Sequence, residues 1–330
     1  MRDAHHDLRT VTLHNGVRMP TLAFGTAFGD WVGATAFQGF LPEQAWRAVD
    51  LALDNGYRAF DCAHAYGTER MVGTLLGQRF ASGALTREAV FITTKLAHPA
   101  APPHLNVSHK RTWDADRVED IAQRVRDDMV DSLDDLGLGY VDLLLVHWPG
   151  SFSAPPGGDP EVSRRARATI WRAFCALADK GAARAIGVSN FTIDHLRQLI
   201  TDVPEPAYRP AVNQVEIHPY CRDPELEAFC RAQGIVVTAY APFASGAFEL
   251  LRDPVLVAIA GRHGKSPGQV VLRWHLQRGR TALPKTSRAE RMVENQAIHD
   301  FVLDAEEIRA IDALGAGVAR RTCPDPYTIV

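Results

Sequence analysis

No run of about 18 apolar residues occurs in this chain, which excludes a membrane-spanning helix of ordinary length. Its opening, MRDAHHDLRT, lacks the basic head and apolar stretch of a secretory leader, so a cytoplasmic protein is expected. Cysteine is sparse. Cys62, Cys175, Cys221, Cys230 and Cys323 are odd in number and form no C-x-x-C pair, which argues against a disulfide framework and a zinc ribbon. One-sided charge is missing too: 36 basic and 39 acidic side chains leave a net charge of -3 and are spread along the sequence. Neither nucleic acid nor a membrane surface is an expected partner, and a small molecule is.

Lysine is scarce as well. Of the 36 basic residues only five, Lys95, Lys110, Lys180, Lys265 and Lys285, are not arginine. The two side chains differ in geometry and in how readily the pKa moves, so a lysine at a strand end in an arginine-rich chain points to ammonium chemistry there. Lys95 and Lys285 both end strand candidates. Finally, no G-x-G-x-x-G follows a first strand, which counts against a doubly wound dinucleotide-binding sheet.

What is present is an eightfold alternation. After a hairpin signalled by Asn15-Gly16 in VTLHNGVRMP, the strand candidates are TLAFG, RAFDCA, VFITTK, VDLLLVH, AARAIGVS, AVNQVEI, IVVTAYAP and TALPK. Amphipathic stretches such as PEQAWRAVDLALDNG, TERMVGTLLGQRF and SPGQVVLRWHLQRG lie between them, several entering from Thr, Asp or Pro and leaving at Gly. With 330 residues, 46% of them hydrophobic, and no repeat, linker or low-complexity tract, one α/β domain over 1–330 is expected. It is a parallel (β/α)8 TIM barrel preceded by the hairpin, with its site at the carboxyl ends of the strands.

Four polar residues stand at those ends. Asp61 closes RAFD, Lys95 closes VFITTK, His147 follows VDLLLV, and Tyr66 lies in the loop after Asp61. Each alone has a structural explanation: an ion pair, a loop anchor, a satisfied core histidine. Delivered by three successive strands, they point to an enzyme.

GYRAFDCAHAYGTE, ITTKL and LLLVHWP resemble the Asp-Tyr, Lys and His segments of the aldo-keto reductases. GVSNF, NQVEIHPY, TAYAPF and LPKTSRAERMVEN resemble that family's cofactor-binding segments. The motifs run in the family's order from about Leu13 to Leu314, with Asp-to-Tyr and Tyr-to-Lys spacings of 5 and 29 residues. The resemblance implies reduction of an aldehyde or ketone by NADPH, returning NADP+, in a soluble monomer. Tyr66 would be the general acid, Lys95 would lower its pKa from about 10, Asp61 would hold Lys95 charged, and His147 would orient the carbonyl.

By the same resemblance Ser189, Asn190 and Gln214 would bind the nicotinamide carboxamide and Tyr240 would stack on its ring, with Gly25, Thr26, Asp61 and Pro242 close by. Lys285, Thr286 and Arg291 would take a 2'-phosphate, with Ser287 also in the cofactor site and Glu294 and Asn295 at the adenine. Glu69, at a helix start, is read as structural. The substrate side is expected from Ala27, Trp31, Trp113, His147 and Trp148. Ala27 stands where the family often has Trp, and Ala241 and Phe243 depart from the family's Ser and Leu.

Two long loops are expected at the barrel mouth: an aromatic one from Phe28 to Leu41 and an insertion from His98 to Trp113. Together they point to a bulky, mostly apolar carbonyl compound. His98, His104 and His109 are spaced by six and five with prolines between, so no metal is expected. A cofactor-sensing regulator on the same fold and a Schiff-base lyase using Lys95 are the alternatives.

Overall fold

The structure is a computed structural model and describes residues 9–32, 36–96, 118–150, 159–317 and 319–329. Strands β1 (Thr10–Thr12) and β2 (Arg18–Pro20) pair antiparallel. Gly16 takes φ 86 in their turn, a left-handed conformation that a β-carbon would strain. Leu13, Val17 and Met19 cluster with Ala59, Phe91 and Val212, each the first residue of a barrel strand, so the hairpin plugs the barrel floor.

The chain continues through β3 (Phe24–Gly25), β4 (Gly29–Val32), β5 (Ala36–Phe40), α1 (Pro42–Asp54), β6 (Ala59–Asp61) and α2 (Glu69–Ala81). Next come β7 (Phe91–Leu96), α3 (Val118–Leu136), β8 (Val141–Val146), α4 (Pro160–Asp179), β9 (Ala183–Ser189) and α5 (Ile193–Asp202). The last third holds β10 (Val212–Glu216), α6 (Pro224–Ala232), β11 (Val236–Tyr240), α7 (Pro254–His263), α8 (Pro267–Gln277), β12 (Thr281–Leu283), α9 (Ala289–Gln296) and α10 (Ala305–Ala313).

Eight strands form one parallel sheet in the order β12-β11-β10-β9-β8-β7-β6-β3. A single parallel bridge between Leu22 and Ala282 brings its two ends together, helped by Ala23 N donating to Ala282 O at 3.1 Å and Ala282 N to Thr21 O at 2.9 Å. This is the expected TIM barrel. Because helices cover its outer face and side chains fill its inside, β6, β7, β8, β10 and β12 are buried along their whole length. Gly187 on β9 has no room for a side chain, since a β-carbon there would lie 2.6 Å from Val212 O.

Helix starts follow the expected chemistry. Ser266 and Gln269 form a reciprocal capping box at α8, Asp304 and Glu307 form one at α10, and the Asp159 side chain accepts from Glu161 N at α4. No described helix is long and apolar enough to cross a membrane.

Three expectations need correction. The aromatic stretch from Phe28 to Leu41 is not an irregular loop, for β4 and β5 pair antiparallel within it. The Pro/Gly cluster Ala154 to Pro160, whose composition predicts a loop after the fourth strand, ends inside a helix: Pro160 is the first residue of α4, where a missing N–H does no harm; residues 151–158 lie outside the described part. Helices α7 and α10 were not anticipated. The insertion from His98 to Trp113, with its three histidines, lies outside the described residues.

Candidate active site

Lys95 is fully buried near the end of β7, and an ammonium there needs an acceptor for each of its three hydrogens. It has them: Nζ donates to Asp61 Oδ1 at 2.5 Å, to Cys62 O at 2.9 Å and to Tyr66 Oη at 3.3 Å. Asp61, the last residue of β6, is fixed on both sides. Its Oδ2 accepts from Gln214 Nε2 at 2.8 Å, and its carbonyl accepts from Thr26 N and Thr26 Oγ1 at 3.1 and 2.9 Å. Tyr66 reaches Lys95 because a 3-10 turn, His64–Tyr66, ends at Gly67 with φ 66 and folds the ring inward. Its ring meets that of His147 edge-on, centroids 5.5 Å apart.

Burial alone would lower the Lys95 pKa, but Asp61 and then Tyr66 outweigh it and raise it, so the amine is charged. A Schiff-base lysine must lose that proton, and here all three hydrogens are engaged. Tyr66 corrects one expectation. Burial is the largest influence on its phenol and outweighs the lowering by Lys95, so the pKa is pushed up to about 12 rather than below 10. The phenol therefore stays protonated around neutrality. His147 is held well below the usual imidazole range by burial and then by the Lys95 charge, which leaves it a neutral hydrogen-bonding group.

Around this trio the ends of β9, β10 and β11 meet. Asn190 follows β9 in the left-handed region at φ 63, which Asn tolerates better than most residues. Its Nδ2 donates to His147 O at 3.0 Å and Ser189 Oγ at 3.1 Å, and its Oδ1 accepts from Tyr240 Oη at 2.8 Å. Ser189 Oγ donates to Gln214 O at 2.8 Å. The structure thus brings Ser189, Asn190, Gln214 and Tyr240 together, and Gln214 also serves Asp61 directly. Pro242 and Trp148 are buried close by in sequence.

The other end of the candidate cleft spans the barrel closure. Gly25 ends β3, and Lys285, two residues beyond β12, donates from Nζ to Ala27 O at 2.6 Å with its charge over the Phe28 ring. Thr286 Oγ1 accepts from Arg288 N at 3.2 Å, Ser287 is exposed, and Arg291 pairs with Glu294 at 3.1 Å. Asn295 is 4% exposed on the inner side of α9. Trp31 lies on β4, and Trp113 lies outside the described residues. Glu69 is buried at the start of α2, its Oε1 accepting from Thr94 Oγ1 at 2.6 Å.

Glu216, the last residue of β10, was missed although it too is a polar strand end. Its Oε1 accepts from Thr322 N at 2.6 Å and Thr322 Oγ1 at 2.7 Å, and its Oε2 from Cys323 N at 3.3 Å, so it pins the C-terminal segment to the barrel. Glu216, His218 and Cys221 also offer metal-ligating atoms within 4.8 Å of one another. Oε1 is already saturated by Thr322 and by His218 Nε2 at 3.2 Å, which makes the group a clasp.

His195 holds the same segment further on, Nε2 donating to Ile329 O at 3.1 Å while Nδ1 accepts from Thr192 N at 3.2 Å. Burial, then the Arg167 charge, lowers its pKa to about 4. With the folded pKa depressed, the unfolded chain takes up the proton first, so stability is constant above about pH 6.5 and falls between there and about pH 4. A loss of about 2–3 kcal/mol by about pH 4.5 is expected from this residue. Denaturation at neutral and acid pH checks it, and His195→Gln should flatten the slope; an unchanged slope would remove His195 from the explanation.

The aldo/keto reductase family model matches residues 21–316. Aldo-keto reductase family 1 member A1-A of Danio rerio is 38% identical over 323 residues, covering 92% of this chain and 89% of the relative. An uncharacterised oxidoreductase, YtbE, of Bacillus subtilis is 36% identical over 319 residues, covering 96% and 95%. Among solved structures, an aldo-keto reductase crystallised with NADPH superposes with a TM-score of 0.76 at 32% identity, covering 96% of this chain and 89% of that one. An aldo/keto reductase from Brucella melitensis gives 0.73 at 32% identity, covering 92% and 98%. With an eight-stranded barrel whose strand ends gather Asp61, Tyr66, Lys95 and His147, and with these relatives along nearly its whole length, the chain belongs to the aldo/keto reductase family.

Proposed function

We propose that the protein reduces an aldehyde or ketone to the alcohol with NADPH, and that Tyr66 supplies the proton. The observation that carries this reading is the Lys95 ammonium held between Asp61 and the Tyr66 hydroxyl at a barrel mouth. The residues present suit the cofactor. Ser189, Asn190 and Gln214 offer the mixed donors and acceptors a carboxamide needs, beside the Tyr240 ring. Lys285, Thr286, Ser287 and Arg291 supply the cations and hydroxyls that suit a phosphate, with Glu294 and Asn295 behind them on α9.

When bound, NADPH supplies the hydride for the carbonyl carbon. Tyr66 hands its hydroxyl proton to the oxygen as negative charge grows there, and Lys95 stabilises the phenolate left behind. Asp61 keeps Lys95 charged and in place. Neutral His147 hydrogen-bonds the same oxygen and aims it.

The β4–β5 hairpin has Trp31 and Phe37 in its sequence, and a composition so rich in aromatics favours a bulky apolar carbonyl compound. A panel of aldehydes and ketones, followed by the loss of reduced-nicotinamide absorbance, tests the whole reading. The expected result is turnover with NADPH well above that with NADH, and a higher kcat/KM for bulky aryl ketones than for a small aliphatic aldehyde. Equal efficiency with the two cofactors would sink the NADPH assignment, and no turnover of any carbonyl would sink the function.

A further inference from the structure

Residues in and beside α6, α8 and α10 meet in a buried polar layer gathered around Trp274. The Arg280 guanidinium, 2% exposed just before β12, lies 4.0 Å over the Trp274 ring, and that of Arg222 lies 5.6 Å from it. His275, wholly buried, packs against the same ring with centroids 4.7 Å apart.

The acids of the layer are already shared. Asp312 accepts from Trp274 Nε1 at 2.8 Å and pairs with Arg222 at 2.8 Å and Arg278 at 3.2 Å. Glu227 lies 3.5 Å from Arg222 and 3.6 Å from Arg280, beyond a hydrogen bond to the latter. Three guanidinium groups therefore face two carboxylates. The next carboxylate, Glu216, is taken by Thr322, Cys323 and His218.

What is left over is all nitrogen. Arg280 Nε, Nη1 and Nη2, Nε of Arg222 and Arg278, His218 Nδ1 and both ring nitrogens of His275, one of them a donor in the neutral ring, are buried without a hydrogen-bond partner; among the described residues no buried side-chain oxygen is in that position. Buried donors left without acceptors are costly, and an uncompensated buried charge is more so. Burial pulls the Arg280 pKa down to about 10, which still leaves the group charged at neutral pH. An acceptor bearing one negative charge answers both deficits at once, whereas water answers only the first.

We propose that Arg280, with His275 and Arg222 beside it, binds a small monovalent anion of halide size. Bromide tests this in the intact protein. Crystals soaked in sodium bromide should show an anomalous peak within hydrogen-bonding reach of the Arg280 guanidinium. Thermal unfolding, with chloride exchanged for gluconate at fixed ionic strength, should rise saturably with chloride, by about 3–4 °C at roughly 100 times Kd. Arg280→Met should abolish that dependence and leave carbonyl reduction unchanged. A Tm indifferent to which anion is present, or an ordered water without anomalous signal at that position, overturns the proposal. Should Arg280→Met fail to fold, the bromide map of the unaltered protein decides alone.

Discussion

Replacing Tyr66 by Phe is expected to lower kcat/KM for carbonyl reduction by about 10²–10⁴-fold, the usual worth of a positioned proton donor, while NADPH binding followed by protein fluorescence stays as it was. The ring keeps its packing against His147 and loses only the hydroxyl, which touches Lys95 at 3.3 Å. The elevated pKa makes the expectation sharper. A phenol at about 12 carries its proton across the whole neutral range, so turnover should not titrate with Tyr66 between about pH 6 and 9. Donation still proceeds, because a developing alkoxide is a far stronger base than a phenolate beside an ammonium. If Tyr66→Phe retained more than about a tenth of the activity, another proton source would have to be found.

Lys95→Met should destabilise the folded protein by about 3–5 kcal/mol, the range for removing one partner of a buried ion pair. The Asp61 carboxylate, 4% exposed, would keep the Gln214 amide but lose its counter-charge. The double variant Lys95→Met, Asp61→Asn removes both charges and should recover much of the loss. Urea denaturation of the two variants separates the cases. A single variant within about 1 kcal/mol of the parent would contradict a fully desolvated pair. Activity should be low in both, since stability can be restored without restoring the cation beside Tyr66.

The barrel was legible because its strands are buried on both faces and read as largely apolar runs, such as LLLV in β8, several of them closed by a polar residue. That same habit exposed Asp61, Lys95 and His147. Glu216 fits it equally, but its partner Thr322 lies 106 residues away and nothing local announces the contact. The β4–β5 hairpin was illegible for another reason: GDWV and AFQGF lack the alternation of a half-buried strand. Helix α7, PVLVAIAGRH, carries apolar residues almost all round and so shows no amphipathic stripe. The Tyr66 pKa was misjudged because a neighbouring charge can be read from a motif, whereas the depth of burial cannot.

The barrel is a ring of eight staves, and seven of its joints are continuous ladders. The eighth, between Leu22 and Ala282, is a single bridge with a few backbone hydrogen bonds. The segments leaving that joint on its two sides run through Gly25 to Ala27 and through Lys285 to Arg291 in the first turn of α9, already tied by Gly25 N donating to Pro284 O at 3.2 Å and Lys285 Nζ to Ala27 O at 2.6 Å. A cofactor held as proposed would touch both segments and so act as a hoop across the thinnest joint, bracing the ring for as long as it stayed bound.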